Sequence, residues 1–150
     1  MQQTIDGFSL IELTLVLVIL AIVSATVIPR VNLSDNSVGT QAERLVRDIR
    51  HLQSLAMQQE TTLTLDISSN SYSVRDAGVI ITDPTNQQNF SVTLDYGVTL
   101  SGTDTDFDSW ARPVSSGVLL TGTRSFTLTG NGGKSITIEV DPVSGFVSVL

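Results

Sequence analysis

Apolar side chains fill the N-terminal part of the chain without regular alternation with polar ones. From Phe8 to Ile28, polar residues occur only at Ser9, Glu12, Thr14, Ser24 and Thr26. A helix over these 21 residues would rise roughly 31 Å, about the thickness of a bilayer's hydrocarbon core. The segment therefore predicts a single membrane-spanning helix. Pro29 follows it and lacks a backbone N–H, which predicts a kink or the end of the helix.

A secretory signal peptide is the alternative interpretation of this segment. Such a peptide has a cationic front and an apolar stretch of about 7–15 residues. The residues before Phe8, MQQTIDG, contain no Lys or Arg, and the apolar stretch is longer than that. A membrane helix is therefore favoured.

Helical periodicity returns between Thr40 and Glu60. The apolar residues that share one face at this spacing are Ala42, Leu45, Val46, Ile49, Leu52 and Ala56. Thr40 and Glu43 match the T-x-x-E capping box that begins many helices. The pattern predicts an amphipathic helix beginning near Thr40. The preceding VNLSDNSVG, residues 31–39, is rich in Asn and Ser and predicts a loosened connection.

After Glu60 the periodicity changes to two, which is typical of strands. TTLTLDI and SYSVRD flank SSN and predict a hairpin. Further strand candidates are FSVTLDYGVTLSG, GVLLTG, SFTLTG, SITIEV and FVSVL, with turns predicted at NGG and DPVSG. A helical N-terminal part followed by strands predicts an α+β protein.

Charge and composition exclude several functions. The chain has 8 basic and 15 acidic residues, a net charge of −7 and no basic run, so we expect no nucleic-acid partner. It has no Cys, which excludes disulfides and thiolate chemistry. No hydrolase, P-loop or dinucleotide motif occurs. We therefore predict a protein that is not an enzyme and holds no cofactor.

Glu12 is the only charged residue between Phe8 and Pro29. An ionised side chain in a membrane segment costs about 2–3 kcal/mol on insertion scales and usually marks a function. The nearest basic side chain along the chain is Arg30, about 27 Å further on in a continuous helix. The only other nearby cation would be a new amine, created if the chain were cut before Phe8.

These residues resemble the type IV prepilin signature. In G-FSLIE, Gly7 would precede the cut, Phe8 would begin the mature chain and Glu12 would be its fifth residue. Pro29 falls where pilins commonly carry a proline. The resemblance implies cleavage between Gly7 and Phe8 by prepilin peptidase, methylation of the new amine, and pairing of Glu12 with that amine of a neighbouring subunit.

The rest of the chain resembles one branch of the same family. AERLVRDIRHLQSLAMQQETTLTLDISSNSYSV and SITIEVDPVSGFVSV are similar to the minor pseudopilin H and FimT-like group, nearest to a minor pilin of the mannose-sensitive haemagglutinin pilus. This implies a type IV pilin-like fold, a leader at 1–7, a transmembrane and assembly helix at 8–29, a linker and amphipathic helix at 30–60, and a β-rich domain at 61–150.

The resemblance also implies a location and partners. The chain would be a single-pass inner-membrane protein with a periplasmic C-terminal domain that later enters a pilus or a type II secretion pseudopilus. Its partners would be prepilin peptidase, other pilin or pseudopilin subunits and the assembly platform. The alternative is a membrane-anchored periplasmic binding module that never polymerises. The type of filament, and a tip or shaft position within it, stay open.

Other candidate sites are less well supported by the sequence. Asp104, Asp106 and Asp108 alternate as at the start of a calcium loop, but an EF-hand would need Gly and Glu where Ser109 and Ser115 stand. An acidic solvated loop is favoured over a different calcium site. No metal site is predicted, because the single histidine, His51, has no second His or Cys and is expected on the surface.

Phe107 and Trp110 are predicted to lie in the core. An exposed adhesive patch is the alternative for this pair.

Overall fold

The computed structural model describes residues 9–27 and 33–150. The chain divides into two compact units, Met1–Asn32 and Leu33–Leu150. Gly7, Phe8 and Pro29 lie outside the described residues, so the predicted cleavage point and the predicted kink do as well.

The described part of the first unit contains helix α1, which spans Leu10–Val27. It begins with hydrogen bonds from the amides of Glu12 and Leu13 to the Ser9 carbonyl, at 3.0 and 3.1 Å. Side chains 9–24 are exposed all round, including Leu10 and Ile11. The predicted membrane span also includes Phe8 and Ile28, which are outside the described residues.

Within the described part of the chain, no helix has both the length and the apolar character that crossing a membrane requires.

The second unit, which we call the body, begins with helix α2 at Leu33–Gln59. The predicted start near Thr40 was wrong, because α2 begins seven residues earlier and Thr40 lies inside it. Two side chains of its first turn bind the distant turn at residues 130–133. The Ser34 hydroxyl accepts the Asn131 amide at 2.9 Å, and the Asp35 carboxylate accepts the Gly132 amide at 3.1 Å. Tertiary contacts thus extend α2 through a stretch of low helix propensity.

Thirteen strands follow in the described part of the body. They are β1 (Leu63–Ser68), β2 (Ser71–Asp76), β3 (Val79–Ile80), β4 (Thr82–Asp83), β5 (Gln88–Asn89), β6 (Ser91–Thr93), β7 (Thr99–Ser101), β8 (Thr105–Phe107), β9 (Pro113–Ser115), β10 (Val118–Leu119), β11 (Arg124–Thr129), β12 (Ser135–Val140) and β13 (Val147–Val149).

The strands form two main antiparallel sheets. One has the order β10-β9-β8-β1-β2-β3, with β6 also paired to β2, and the other has the order β13-β12-β11-β7. The predicted hairpin is β1–β2, with Leu65 opposite Val74. Strands β4 and β5 pair as a small separate hairpin. The candidate strand FSVTLDYGVTLSG is divided between β6 and β7, because a turn at Tyr96 and Gly97 sends it from one sheet to the other.

The core lies between α2 and both sheets. The apolar face of α2 is buried against β1, β8, β11, β12 and β13. The largest fully buried side chains include Tyr72, Phe107, Phe126 and Leu45. All predicted apolar positions of the amphipathic helix are buried, from Ala42 to Ala56.

Candidate assembly site

Glu12 lies in the first turn of α1 with its side chain exposed. Near it, Ile11, Thr14, Leu15 and Val18 line a shallow groove. A carboxylate at this end of a helix interacts favourably with the helix dipole. The described residues include no ion pair to Glu12. The Glu12 carboxylate is thus surrounded mainly by apolar side chains and is accessible to a cation from another molecule.

Thr14, the next polar residue of α1, differs from Glu12 because it binds its own helix. Its hydroxyl donates to the Ile11 carbonyl at 2.8 Å. This bond satisfies the hydroxyl without any partner outside α1. Among the described residues of α1, Glu12 is thus the ionisable side chain that another molecule can contact.

His51 and Asp83 form a contact that the sequence did not predict. His51 on α2 lies 3.1 Å from the Asp83 carboxylate on β4, and its ring lies beside Phe90 with 5.6 Å between centroids. The same Asp83 oxygen accepts the Thr85 amide at 2.8 Å and hydroxyl at 2.7 Å. Burial would raise the pKa of Asp83, but these bonds from Thr85 and His51 outweigh it and hold the pKa below its ordinary value.

A second partly buried polar contact joins α2 to β2. The Tyr72 hydroxyl donates to Asp48 at 2.6 Å. Burial, followed by the Asp48 carboxylate, raises the pKa of Tyr72 far above its ordinary value, so the phenol stays protonated as the donor. The contact is structural, and nothing in it suggests catalysis.

The three alternating aspartates do not converge on one point. Asp104 accepts the Ile67 amide at 2.8 Å, and Asp106 accepts the Thr64 hydroxyl at 2.7 Å. Among the described residues, no group of three or more acidic or histidine side chains could hold a metal ion. The predicted acidic solvated loop was wrong in part, because Asp106 lies within strand β8.

Asp108 has a different role, since it organises the turn that carries Trp110. Its carboxylate accepts the amides of Trp110 and Arg112, each at 2.9 Å, and binds the Arg112 guanidinium at 2.7 Å. Burial would raise the pKa of Asp108, but the bonds from Arg112 and the Trp110 amide hold it below its ordinary value. The three aspartates therefore have three separate structural partners.

The two predicted core aromatics have opposite environments. Phe107 is fully buried, as predicted. Trp110 is 74% exposed, so its predicted place in the core was wrong. Trp110 lies in the turn that follows the end of β8 at Phe107. The central carbon of the Arg112 guanidinium lies over the Trp110 ring, 5.8 Å from the ring centroid.

No protein-family model and no curated protein sequence matches the chain. Two crystal structures of the type IV minor pilin FimU from Pseudomonas aeruginosa strain PAO1 are similar to it. One aligns with a TM-score of 0.56 at 14% identity and covers 75% of this chain and 91% of that one. The other gives 0.55 at 16% identity, covering 77% and 89%. The chain has a type IV pilin-like fold.

The likeness to FimU confirms the predicted α+β class, with a long N-terminal helical part and an antiparallel β-sheet domain. It is a likeness of fold. The relation to the mannose-sensitive haemagglutinin pilus, the cleavage at Gly7 and the contact made by Glu12 remain predictions.

Proposed function

We propose that the chain is a minor pilin or pseudopilin subunit. It would be cleaved by prepilin peptidase between Gly7 and Phe8 and assembled into a type IV pilus or a type II secretion pseudopilus. The observation that carries the proposal is Glu12, an exposed carboxylate in the first turn of a mainly apolar helix that has no other charged residue. The pilin-like fold supports the same conclusion.

In this proposal, α1 has two successive environments. Its apolar surface, which includes Leu13, Leu17 and Leu20, is held first in the inner membrane and then among the helices of neighbouring subunits. A helix that is apolar on all sides needs such surroundings. The body would face the periplasm until the assembly platform extracts the subunit. Contacts between subunits that do not close into a ring produce a helical filament.

The cation for Glu12 would be the amine of Phe8 on a neighbouring subunit. Both charges would lie in apolar surroundings, where each is costly when unpaired. Assembly would bring them together, so the pair would favour the correct register of one subunit against the next. We further propose the mannose-sensitive haemagglutinin pilus as the first system to examine, because the body sequence resembles a minor pilin of that pilus.

The proposal is tested with Glu12→Val and the matched control Thr14→Val, in cells that hold the peptidase and the assembly machinery. Both variants replace a polar side chain of α1 with the same apolar one. Only Glu12 would lose a partner in another chain. Sheared-filament and membrane fractions are probed for the subunit. We expect Glu12→Val in membranes but reduced at least about tenfold in filaments, because the Phe8 amine is left buried and unpaired.

Thr14→Val should enter filaments like the wild type. Equal incorporation of Glu12→Val and the wild type would remove Glu12 from assembly. Absence of both from the filament fraction would favour the non-polymerising anchored module. Intact-mass analysis of the membrane form tests processing separately. We expect loss of residues 1–7 and the gain of one methyl group, and an uncut chain would contradict the proposal.

A further inference from the structure

An exposed tryptophan is held in a rigid turn of the body. Trp110 is 74% exposed, and the carboxylate of Asp108 fixes the backbone on both sides of it. Ala111, the next residue, has a φ of 63°, which is costly for a residue other than glycine. The turn therefore holds a large apolar side chain in water at a conformational cost. Such features are common where proteins bind other molecules.

The turn between β12 and β13 is built in the same way. The Asp141 carboxylate accepts the amides of Val143 and Ser144, at 3.0 and 2.7 Å. Gly145 closes the turn with a φ of 70°. Val143 and Phe146 are 76% and 65% exposed. This turn also presents apolar side chains to solvent from a fixed backbone.

One buried side chain of α2 fastens the two turns together. The Gln53 amide donates to the Ala111 carbonyl at 2.9 Å and to the Gly145 carbonyl at 2.7 Å. Gly145 also lies so close to the Ala111 carbonyl that any side chain added there would collide with it. We call Trp110, Val143 and Phe146 the paired-turn patch. Its three side chains extend from one pre-organised backbone unit.

The surroundings of the patch carry negative charge. Trp110 lines a recess together with Met57, Glu60 and Ser109. Of the described residues, two cations lie nearby. Arg112 is already paired with Asp108, and Arg50 donates to the carbonyl of Val147, next to Phe146, at 3.0 Å. In the described part of the chain, neither Glu60 nor Asp141 forms an ion pair. The patch is thus an apolar centre with an acidic rim, the usual arrangement of a protein interface with an apolar core and a polar edge.

The recess also has a defined place in the body. Met57 lies 24 residues along α2 from Leu33, where the body begins, which is about 36 Å of helix. The recess therefore lies at the end of α2 opposite to the one that follows α1. A partner that binds the recess would therefore contact the body at the C-terminal end of α2.

We propose that the paired-turn patch docks a companion filament subunit of different sequence. The matching surface would be an apolar recess with a rim of Lys or Arg. This inference rests on the proposed function, since it names a partner of the same subunit. Trp110 is the expected anchor, because buried tryptophans dominate many interfaces. Glu60 and Asp141 would select the basic rim.

Two other occupants fit the charge less well. A second copy of this chain carries the same net charge of −7 and would bring a second acidic rim if the same faces met. An anionic membrane surface would be repelled by Glu60 and Asp141. The acidic rim thus favours a basic protein surface over both.

The test places a photo-crosslinking benzoylphenylalanine at position 146 of the full chain, in cells with the assembly machinery. Position 79 on β3 is the control, because Val79 is 71% exposed but lies outside the patch. The crosslinked partner and its crosslinked peptide are identified by mass spectrometry. The measurement is repeated in Trp110→Ser and Glu60→Lys backgrounds, in membrane and filament fractions.

We expect a crosslink from position 146 to a different subunit, at a peptide with apolar residues beside Lys or Arg. Trp110→Ser should lower its yield about tenfold or more, and Glu60→Lys should lower it several-fold. A crosslink only to a second copy, or a yield no higher than from position 79, would overturn the proposal. So would a yield unchanged by Trp110→Ser or raised by Glu60→Lys.

Comparison of the membrane and filament fractions distinguishes a failure of the patch proposal from a failure of the proposed function. If the chain enters filaments in a Glu12-dependent way but position 146 gives no crosslink, only the patch proposal fails. If the wild-type chain does not enter filaments, the proposed function fails. If Glu12→Val enters them like the wild type, only the role of Glu12 in assembly fails, whatever the crosslink shows.

Discussion

Gln41 on α2 binds both backbone groups of Asp95. Its side-chain amide donates to the Asp95 carbonyl at 3.0 Å, and its side-chain oxygen accepts the Asp95 amide at 3.1 Å. The next residue, Tyr96, has a φ of 56° and begins the reversal between β6 and β7. A single buried glutamine thus fixes the point where the chain passes from one sheet to the other.

The fragment 33–150 should fold by itself. The apolar face of α2 is buried against strands of the same unit, and the bonds of Gln41 and Gln53 are also made within it. Amphipathic helices are stabilised mainly by such packing. Circular dichroism and urea unfolding should show a mixed helix and strand spectrum and one cooperative transition. An aggregated or non-cooperative fragment would contradict the division of the chain.

Gln41→Met should destabilise this fragment by about 1–2 kcal/mol, because the Asp95 amide loses its acceptor and the Asp95 carbonyl keeps only the Val98 amide as a donor. Gln58→Met is the matched control, since Gln58 lies on the same helix but is exposed and donates to the Ser54 hydroxyl one turn earlier. Gln and Met have similar helix propensities, so the control should change the free energy of unfolding by less than about 0.5 kcal/mol. Urea unfolding measures both, and equal effects would show that the Asp95 contact is not stabilising.

Gly145→Ala should be more costly than Gly133→Ala, although both glycines have positive φ values, of 70° and 91°. The backbone strain costs about 1–2 kcal/mol at either site. A methyl group at position 133 meets nothing within 4 Å, whereas one at 145 would collide with the Ala111 carbonyl. Relieving that collision should cost about 1–3 kcal/mol more. If urea unfolding shows that the two variants lose the same free energy of unfolding, the turns that contain Ala111 and Gly145 can move apart at no cost.

Local patterns predicted the parts of the fold that depend on neighbours in sequence. The helical spacing from Ala42 to Ala56 identified the buried face of α2, and the period-two runs identified β1, β2, β11 and β12. The turns at NGG and DPVSG were predicted because turn residues act locally. These signals also sufficed for the fold class.

The features that were missed depend on distant contacts. The Ser34 hydroxyl accepts the amide of Asn131, which lies 97 positions later in the sequence. No local pattern indicates this bond, so the predicted start of α2 was too late. His51 and Asp83 are 32 positions apart, so no spacing rule joins them. Trp110 was assigned to the core because large aromatics usually pack there, and only the fold shows that its turn faces solvent.

Asp83 should make the fragment less stable in acid. The pKa of Asp83 is below its ordinary value in the folded state, so near pH 4 the unfolded state binds more protons than the folded one. The stability that Asp83 contributes is therefore fully present above the unfolded pKa of about 3.9 and is lost as pH falls through the lower folded value. Asp83→Asn removes this contribution.

The measurement is the free energy of unfolding of the fragment at several pH values from about 7 to 3. Asp83→Asn should be less stable than the wild type at pH 7, and the two curves should converge as pH falls. Thr85→Val should give an intermediate slope, because it removes the hydroxyl that donates to Asp83 but keeps the amide. Some acid sensitivity should persist in both variants, since Asp108 and Asp141 also have lowered pKa values. Parallel curves for Asp83→Asn and the wild type would show that the bonds to Thr85 and His51 do not stabilise the ionised carboxylate.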